Sequence, residues 1–285
     1  MGEEAQFYKA HTGMLAWPTL ALLVGVVVLW VGSWVGVLTG AIGLAVGAVG
    51  TTIAAYLSFT VMHEAAHGNI HGSRRDLRGI GTAAGWLASA FLLAPFPAFR
   101  VLHLRHHSFT NDGRRDPDFF VAGTPLLAPL RCFRTIPHYY GEFLFGETSR
   151  SNAGRRERRS VILGILFLLA IGGGLSAFGL WREVLFLWAI PAVVAAAILA
   201  FFFDYVPHHP HASRERYRDT RVVPTRLLDL PLLGQNLHLV HHLWPRVPFY
   251  RYRAVFEASR DRLVDAQAPG VSKAPTLVTS PEVNR

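Results

Sequence analysis

The sequence predicts an all-α integral membrane protein: four transmembrane helices in two hairpins, one interfacial or re-entrant helix, and a histidine-rich cap on the cytoplasmic side. Three observations predict it. Four apolar runs of about 20 residues occur in two pairs, each long enough for a helix to cross about 30 Å of hydrocarbon. The basic residues are almost all Arg, 26 of 28, and 25 of those 26 avoid the links within the pairs. Twelve of the 14 histidines fall in four short clusters.

The first run is Leu15 to Leu38, and Ala41 to Met62 follows almost at once. Val161 to Leu180 and Val184 to Phe203 form the second pair, joined at Arg182 and Glu183. Buried helices of a large soluble core need polar chain around them, and these pairs have almost none. A cleavable leader is not expected either: the first run is too long, lacks a basic start and leads directly into the second. A fifth stretch, Ile80 to Ala98, holds 19 residues without a charge and ends in Ala94-Pro95-Phe96-Pro97.

Half the residues are hydrophobic and only 16% are charged, against about 25% in ordinary globular chains, yet the formal charge is +9. That hydrophobicity excludes intrinsic disorder, and a lone cysteine, Cys132, excludes a disulfide framework. The basic excess alone permits a nucleic-acid binder. Its distribution gives a better account: 14 Arg lie from Arg74 to Arg159 and 11 after Asp204. By the positive-inside rule both segments are cytoplasmic, both termini are inside, and the short links face out. The charge then serves orientation and anionic lipid, and no nucleic-acid partner is needed.

The clusters are His63-Glu64-Ala65-Ala66-His67 with His71, His103-Leu104-Arg105-His106-His107, His208-His209-Pro210-His211, and His238-Leu239-Val240-His241-His242. Spacings of three and four residues put side chains on one helical face, so each H-x-x-H-H is expected to offer three imidazoles to one side. Imidazole is the commonest metal ligand, and all-nitrogen sites suit Fe, Zn, Cu or Ni. Nine or ten ligands exceed what one ion can hold, and four or five each fit two. All clusters must then meet on one side of the membrane. Ile80 to Ala98 therefore cannot cross once, and Pro95 and Pro97 help it turn.

Two other classes use the same residues. His63-Glu64-x-x-His67 satisfies the H-E-x-x-H signature of a zinc metalloprotease, with Glu64 as base, but leaves most of the histidines without a role. A His-rich transporter or metal store is expected to place ionisable groups within its spans, and none of the four runs holds one. Two irons among neutral imidazoles at the mouth of an apolar bundle suit O2 activation against an unactivated C–H bond, giving hydroxylation or desaturation. Glu64, Asp116, Asp118, Asp204 and Asp229 are candidate acceptors for the free ring N–H of ligating histidines, and Asn236 is a candidate for a metal-bound water.

At these residues the chain resembles the membrane-bound fatty-acid desaturase/hydroxylase superfamily, whose hallmark is three histidine boxes around a di-iron centre. The likeness spans roughly Ala55 to Ala258. More narrowly it is similar to cyanobacterial-type β-carotene 3-hydroxylases and their ketolase relatives. The supporting text is His106-His107-Ser108-Phe109-Thr110-Asn111-Asp112, Arg115-Asp116-Pro117-Asp118, Phe203-Asp204-Tyr205-Val206-Pro207-His208, and Leu233-Gly234-Gln235-Asn236-Leu237-His238 through Pro245, with Tyr250. The resemblance implies His63, His67, His103, His106, His107, His208, His238, His241 and His242 as iron ligands, with His71 a possible tenth. Where the family reads Pro-His-Arg-Pro this chain has Pro207-His208-His209-Pro210, and the register assigns His208 with His209 as the alternative.

The expected activity is O2-dependent hydroxylation of a carotenoid ring; the alternative is desaturation of a fatty-acyl lipid. A carotenoid implies a long apolar tunnel that accepts a ring at its inner end. No dinucleotide fingerprint opens a strand–helix unit, and Gly172-Gly173-Gly174 reads as helix packing. Electrons are then expected from a separate donor such as a ferredoxin. The location is a membrane, expected to be a bacterial inner membrane, with the active site cytoplasmic. One domain is expected over residues 1–265, and a disordered Pro-, Ser- and Thr-bearing tail over 266–285.

Overall fold

In the computed structural model, which describes residue 7 and residues 9–272, helices form where the apolar runs predict them, and no strand occurs among the described residues. Helix α1 (Trp17–Leu38) opens with Pro18, at a position where a missing N–H costs no helical bond. Helix α2 (Leu44–His67) stops at Gly68, whose φ of 72° is left-handed and closes the helix directly after His67. That stop leaves His63 and His67 on the last two turns. Along α2 the buried positions include Gly47, Thr51, Ala54, Ala55 and Ser58. Such small residues let neighbouring backbones approach, which is how apolar helices associate without a solvent-driven push. Helix α2 accordingly packs against α1, α3 (Arg78–Phe91) and Ile190–Leu199.

The uncharged stretch from Ile80 to Ala98 does not run straight. Helix α3 and helix α4 (Phe96–Phe109) are bent by 97° at a short break, where Leu93 has a φ of 53° and Pro95 caps α4. A proline lacks the donor that would continue α3, so the two prolines end one helix and start the next. The bend turns α4 so that Phe99 joins Met62, Phe91, Leu199 and Phe203 in the central core.

Helix α5 (Thr135–Leu144) crosses behind this bend. Helix α6 (Asn152–Leu175) begins at Ser151, whose hydroxyl accepts the Gly154 N–H at 2.9 Å. Arg155, Arg156, Arg158 and Arg159 stand at its start. The chain reverses at Gly179, with a φ of 88°, and α7 (181–208) runs back. A Cβ on Gly172 of α6 would meet Val184 and Trp188 of α7 at 3.8 and 4.0 Å, so the arms form a hairpin. Three stretches have the length and apolarity of a membrane span: α1, α2 and the 57-residue path Asn152–His208, which the Gly179 turn divides. The bent α3–α4 pair makes a fourth if it is counted as one span.

The remaining chain forms the cap, with α8 (His238–Leu243) and α9 (Tyr252–Asp265) around Leu237, Val240, Trp244, Tyr252 and Phe256. Residues 266–272 of the segment expected to be a tail are among the described residues. Ala268 is buried against this core, and the Pro269 carbonyl accepts from the Val222 N–H at 3.0 Å. Ala268 and Val271 supply local apolar burial that the polar composition of the whole segment hides. Residues 273–285 lie outside the described residues.

Candidate metal centre

Four helices deliver the imidazoles: the end of α2, the C-terminal half of α4, the end of α7 and all of α8. They gather into two sets, His63, His67, His103, His107 and His241, and His106, His208, His238 and His242. Within each set the candidate ligand atoms all lie within 4.8 Å of one another. The two H-x-x-H-H triplets do not each face one way, as the spacing had suggested. At 100° per residue, His103 and His107 share a face while His106 is rotated by about 60° from His103. So α4 gives two rings to the first set and one to the second. Helix α8 does the reverse, sending His241 to the first set and His238 and His242 to the second.

The ring nitrogens that meet are Nε2. In the first set His63 and His241 approach to 3.0 Å, His67 and His103 to 2.8 Å, His103 and His107 to 3.1 Å, and His107 and His241 to 2.8 Å. In the second, His208 and His242 each lie 3.2 Å from His238, and His106 lies 3.4 Å from His242. Two imidazole nitrogens about 2.1 Å from one ion, at right angles, stand about 3 Å apart. In three rings the outer nitrogen explains why the inner one is a lone pair. Nδ1 of His106 donates to Asp116 Oδ1 at 2.8 Å, Nδ1 of His238 donates to Gln235 Oε1 at 3.0 Å, and Nδ1 of His241 lies 2.9 Å from Tyr252 Oη. In these three rings the proton is held outside and the Nε2 lone pair faces the other imidazoles, an arrangement that a cation relieves. Burial, and then the neighbouring imidazoles, hold His238, His241 and His242 well below the usual histidine pKa, so they are neutral and competent to ligate. The donor set fits two metal ions.

The acidic candidates separate into two groups. Asp116 accepts from His106 and from the backbone N–H of Asn111 and Asp118, at 2.8 and 2.9 Å. Asp118 lies 3.4 Å from His106 Nδ1 and accepts the Tyr139 hydroxyl at 2.5 Å. Glu64 is buried 3.8 Å from His63 Nδ1, and its oxygens accept from Asn69 Nδ2 at 3.2 Å and the Phe249 N–H at 3.4 Å. The second bond ties the cap to the end of α2, and together they occupy the carboxylate that a zinc-protease reading needs as base. Asp204 lines an apolar cavity beside His103. Asp229 and Asn236 are elsewhere: Asp229 pairs with Arg253 at 2.5 Å, and Asn236 Nδ2 donates to Asp229 Oδ1 and the Val223 carbonyl, both at 2.9 Å. They brace the loop before α8. His71 and His209 belong to neither set, and His208 does.

The match to a family model described as fatty acid desaturase covers residues 32–272. The chain belongs to the fatty acid desaturase family. Members of that family are non-haem di-iron oxidoreductases. Dihydrorhizobitoxine desaturase of Bradyrhizobium elkanii is 28% identical over 75% of this chain and 65% of that protein, so this chain spans slightly less than two thirds of it. A beta-carotene ketolase of Paracoccus sp. (strain PC1) is 30% identical over 68% of this chain and 71% of the ketolase. The chloroplastic omega-6 fatty acid desaturase of Glycine max is 25% identical over 74% of this chain and 54% of the relative.

In this desaturase-family chain, sequence reasoning missed several groups that touch the imidazoles. Gln235 sits three residues before His238, a spacing that could have flagged it in place of Asn236. Tyr252 carries no local signal, because it reaches His241 from a different helix. Asp219, whose pKa burial pushes up to about 7, lies 3.8 Å from His242 Nδ1. Tyr252→Phe is expected to lower the thermal midpoint of the inserted protein by the equivalent of about 1–3 kcal/mol, since a buried ring N–H loses its acceptor. An unchanged midpoint would show that His241 does not depend on Tyr252.

Proposed function

We propose that the chain is an O2-dependent di-iron hydroxylase of a carotenoid ring. The observation that carries this reading is two sets of converging Nε2 atoms beside an apolar cavity lined by Phe59, Met62, Phe99, His103, Tyr139 and Leu199. Two irons, held by His63, His67, His103, His107 and His241 and by His106, His208, His238 and His242, supply reductive O2 activation when bound. The chain's own residues then do three things. They fix the ring tautomers through Asp116, Gln235 and Tyr252, hold the reacting carbon near His103, and keep water from it with apolar walls.

Hydroxylation consumes one C–H, O2, two electrons and two protons, and yields an alcohol and water. A second turn at the same carbon, followed by loss of water, gives a ketone, the product class of the beta-carotene 4-ketolase of Protosiphon botryoides, 25% identical to this chain. The electrons come from a separate one-electron donor such as a ferredoxin, docking on the Arg-rich side. The four spans form two hairpins in a bacterial inner membrane, with both termini and the histidine cap cytoplasmic. Similarity to plant omega-6 and omega-3 desaturases favours a second reading, in which the same two electrons and O2 remove two hydrogens from an acyl chain and yield two waters.

Expression in a bacterium that accumulates β-carotene tests both. More polar carotenoids are expected on chromatography, a hydroxyl or ketone at ring position 3 or 4 being read from their spectra and masses. New unsaturated acyl chains with unchanged pigment would replace the first reading with the second.

A further inference from the structure

Of the glycine run 172–174, only Gly172 faces the other arm of the α6–α7 hairpin. A Cβ on Gly173 or Gly174 would meet nothing within 4 Å, so neither brings two helices together in this chain. Gly173 instead lines a second apolar hollow, between the α6–α7 hairpin and α5, with Leu93, Ile136, Tyr140, Leu168 and Trp188 among its walls. Leu166, Phe167 and Leu169 are exposed on the same helix, a surface suited to hydrocarbon. The cavity beside His103 is walled from the other side by the same Ile136 and Tyr140. Two side chains of α5 are therefore all that both hollows share. The Tyr140 hydroxyl donates to the Leu93 carbonyl, at the break between α3 and α4, and so pins the partition to that bend.

We propose that the two hollows are the halves of one substrate channel, with Tyr140 as its gate. The inner half takes the reacting end. The outer groove takes the distal apolar part of a long polyene or acyl chain arriving sideways from the bilayer. This rests on the proposed oxygenase reading, and it adds where the rest of the substrate lies. The groove has room because position 173 carries no side chain. A single side-chain hydrogen bond, from the Tyr140 hydroxyl to the Leu93 carbonyl, holds the gate in its closed position.

Gly173→Phe fills the groove without a clash at its Cβ. The probe is palmitic acid bearing a diazirine near its methyl end, photolysed with the full-length protein in bilayers and mapped by peptide mass spectrometry. The wild type is expected to be labelled at Ile136 or Tyr140 as well as at lipid-facing Phe167. Gly173→Phe is expected to lose the first label and keep the second. In the same variant kcat/KM for β-carotene, or for the acyl substrate if that is what the wild type converts, should fall by about tenfold or more with iron content unchanged. Labelling confined to Phe167 in the wild type, or unchanged by Gly173→Phe, overturns the channel. Because labelling requires neither iron nor turnover, a wild type that is labelled at Tyr140 but oxidises neither substrate refutes the proposed function and leaves the groove standing.

Discussion

His106→Ala and His241→Ala are each expected to abolish turnover and to lose iron while the protein remains inserted in the membrane. Insertion should survive because α1, α2 and the two arms of the α6–α7 hairpin hold the apolar length, whereas α8 is a short cap helix and α4 follows a sharp bend. The two variants probe different sets. His106 is one of four nitrogens in its set, and its loss leaves three. His241 is one of five, with Nε2 2.8 Å from His107 and 3.0 Å from His63, so its loss opens the side of that set that faces the cap. Each should lower iron from about two to about one per chain or less, because loss of even an orienting partner costs about 10–100-fold in metal affinity. Metal analysis of the purified, membrane-inserted variants reads the first expectation, and product chromatography the second. Two irons and full turnover in both would remove these residues from the ligand sets.

Much of this architecture is legible from residue order because the bilayer imposes local rules. A span needs about 20 apolar residues in sequence, so α1, α2 and the hairpin arms announce themselves. The break in the fifth stretch is legible for a similar reason, since Pro95 and Pro97 forbid a straight helix wherever they are placed. The histidines are legible as a group large enough for two ions, but which ring joins which set is not. Whether His106 turns to the partners of His103 or to His208 depends on how α4 and α8 are rotated against each other, and tertiary packing decides that. The outer partners follow the same division. Asp116 lies ten residues from His106 on a turn that the chain makes locally, which brings it to the ring's Nδ1. Asp229 and Asn236 are just as near their box in sequence. Arg253, from α9, captures the first, and through it the second. The reverse holds for Tyr252, which α9 carries to His241. Composition says less about residues 266–272: Ala268 and Val271 sit in a Pro- and Ser-bearing segment, and both pack on the cap.

Asp116→Asn is expected to weaken iron binding by about 10–100-fold and to cut turnover accordingly, although it changes one atom. The carboxylate is buried and accepts three hydrogen bonds: Oδ1 takes His106 Nδ1–H and the Asp118 N–H, and Oδ2 takes the Asn111 N–H. An amide offers only one acceptor oxygen. If that oxygen keeps His106, the new NH2 faces the Asn111 N–H, and a buried donor loses its partner at a cost of about 1–3 kcal/mol. If the amide flips, the NH2 faces Nδ1 of His106, and the ring proton must move to Nε2, the atom that has to ligate. Either orientation also removes the negative charge that raises the basicity of the imidazole. Asp229→Asn makes the matched comparison, because it alters a carboxylate equally close in sequence to a histidine box but bonded to Arg253 instead of a ring. Its iron affinity should equal that of the wild type, with a loss confined to stability through the Arg253 pair. Competition against a chelator of known affinity separates the two variants. Equal iron affinity in Asp116→Asn and wild type would mean that His106 keeps its orientation without Asp116, and that packing from α4 alone sets the ring.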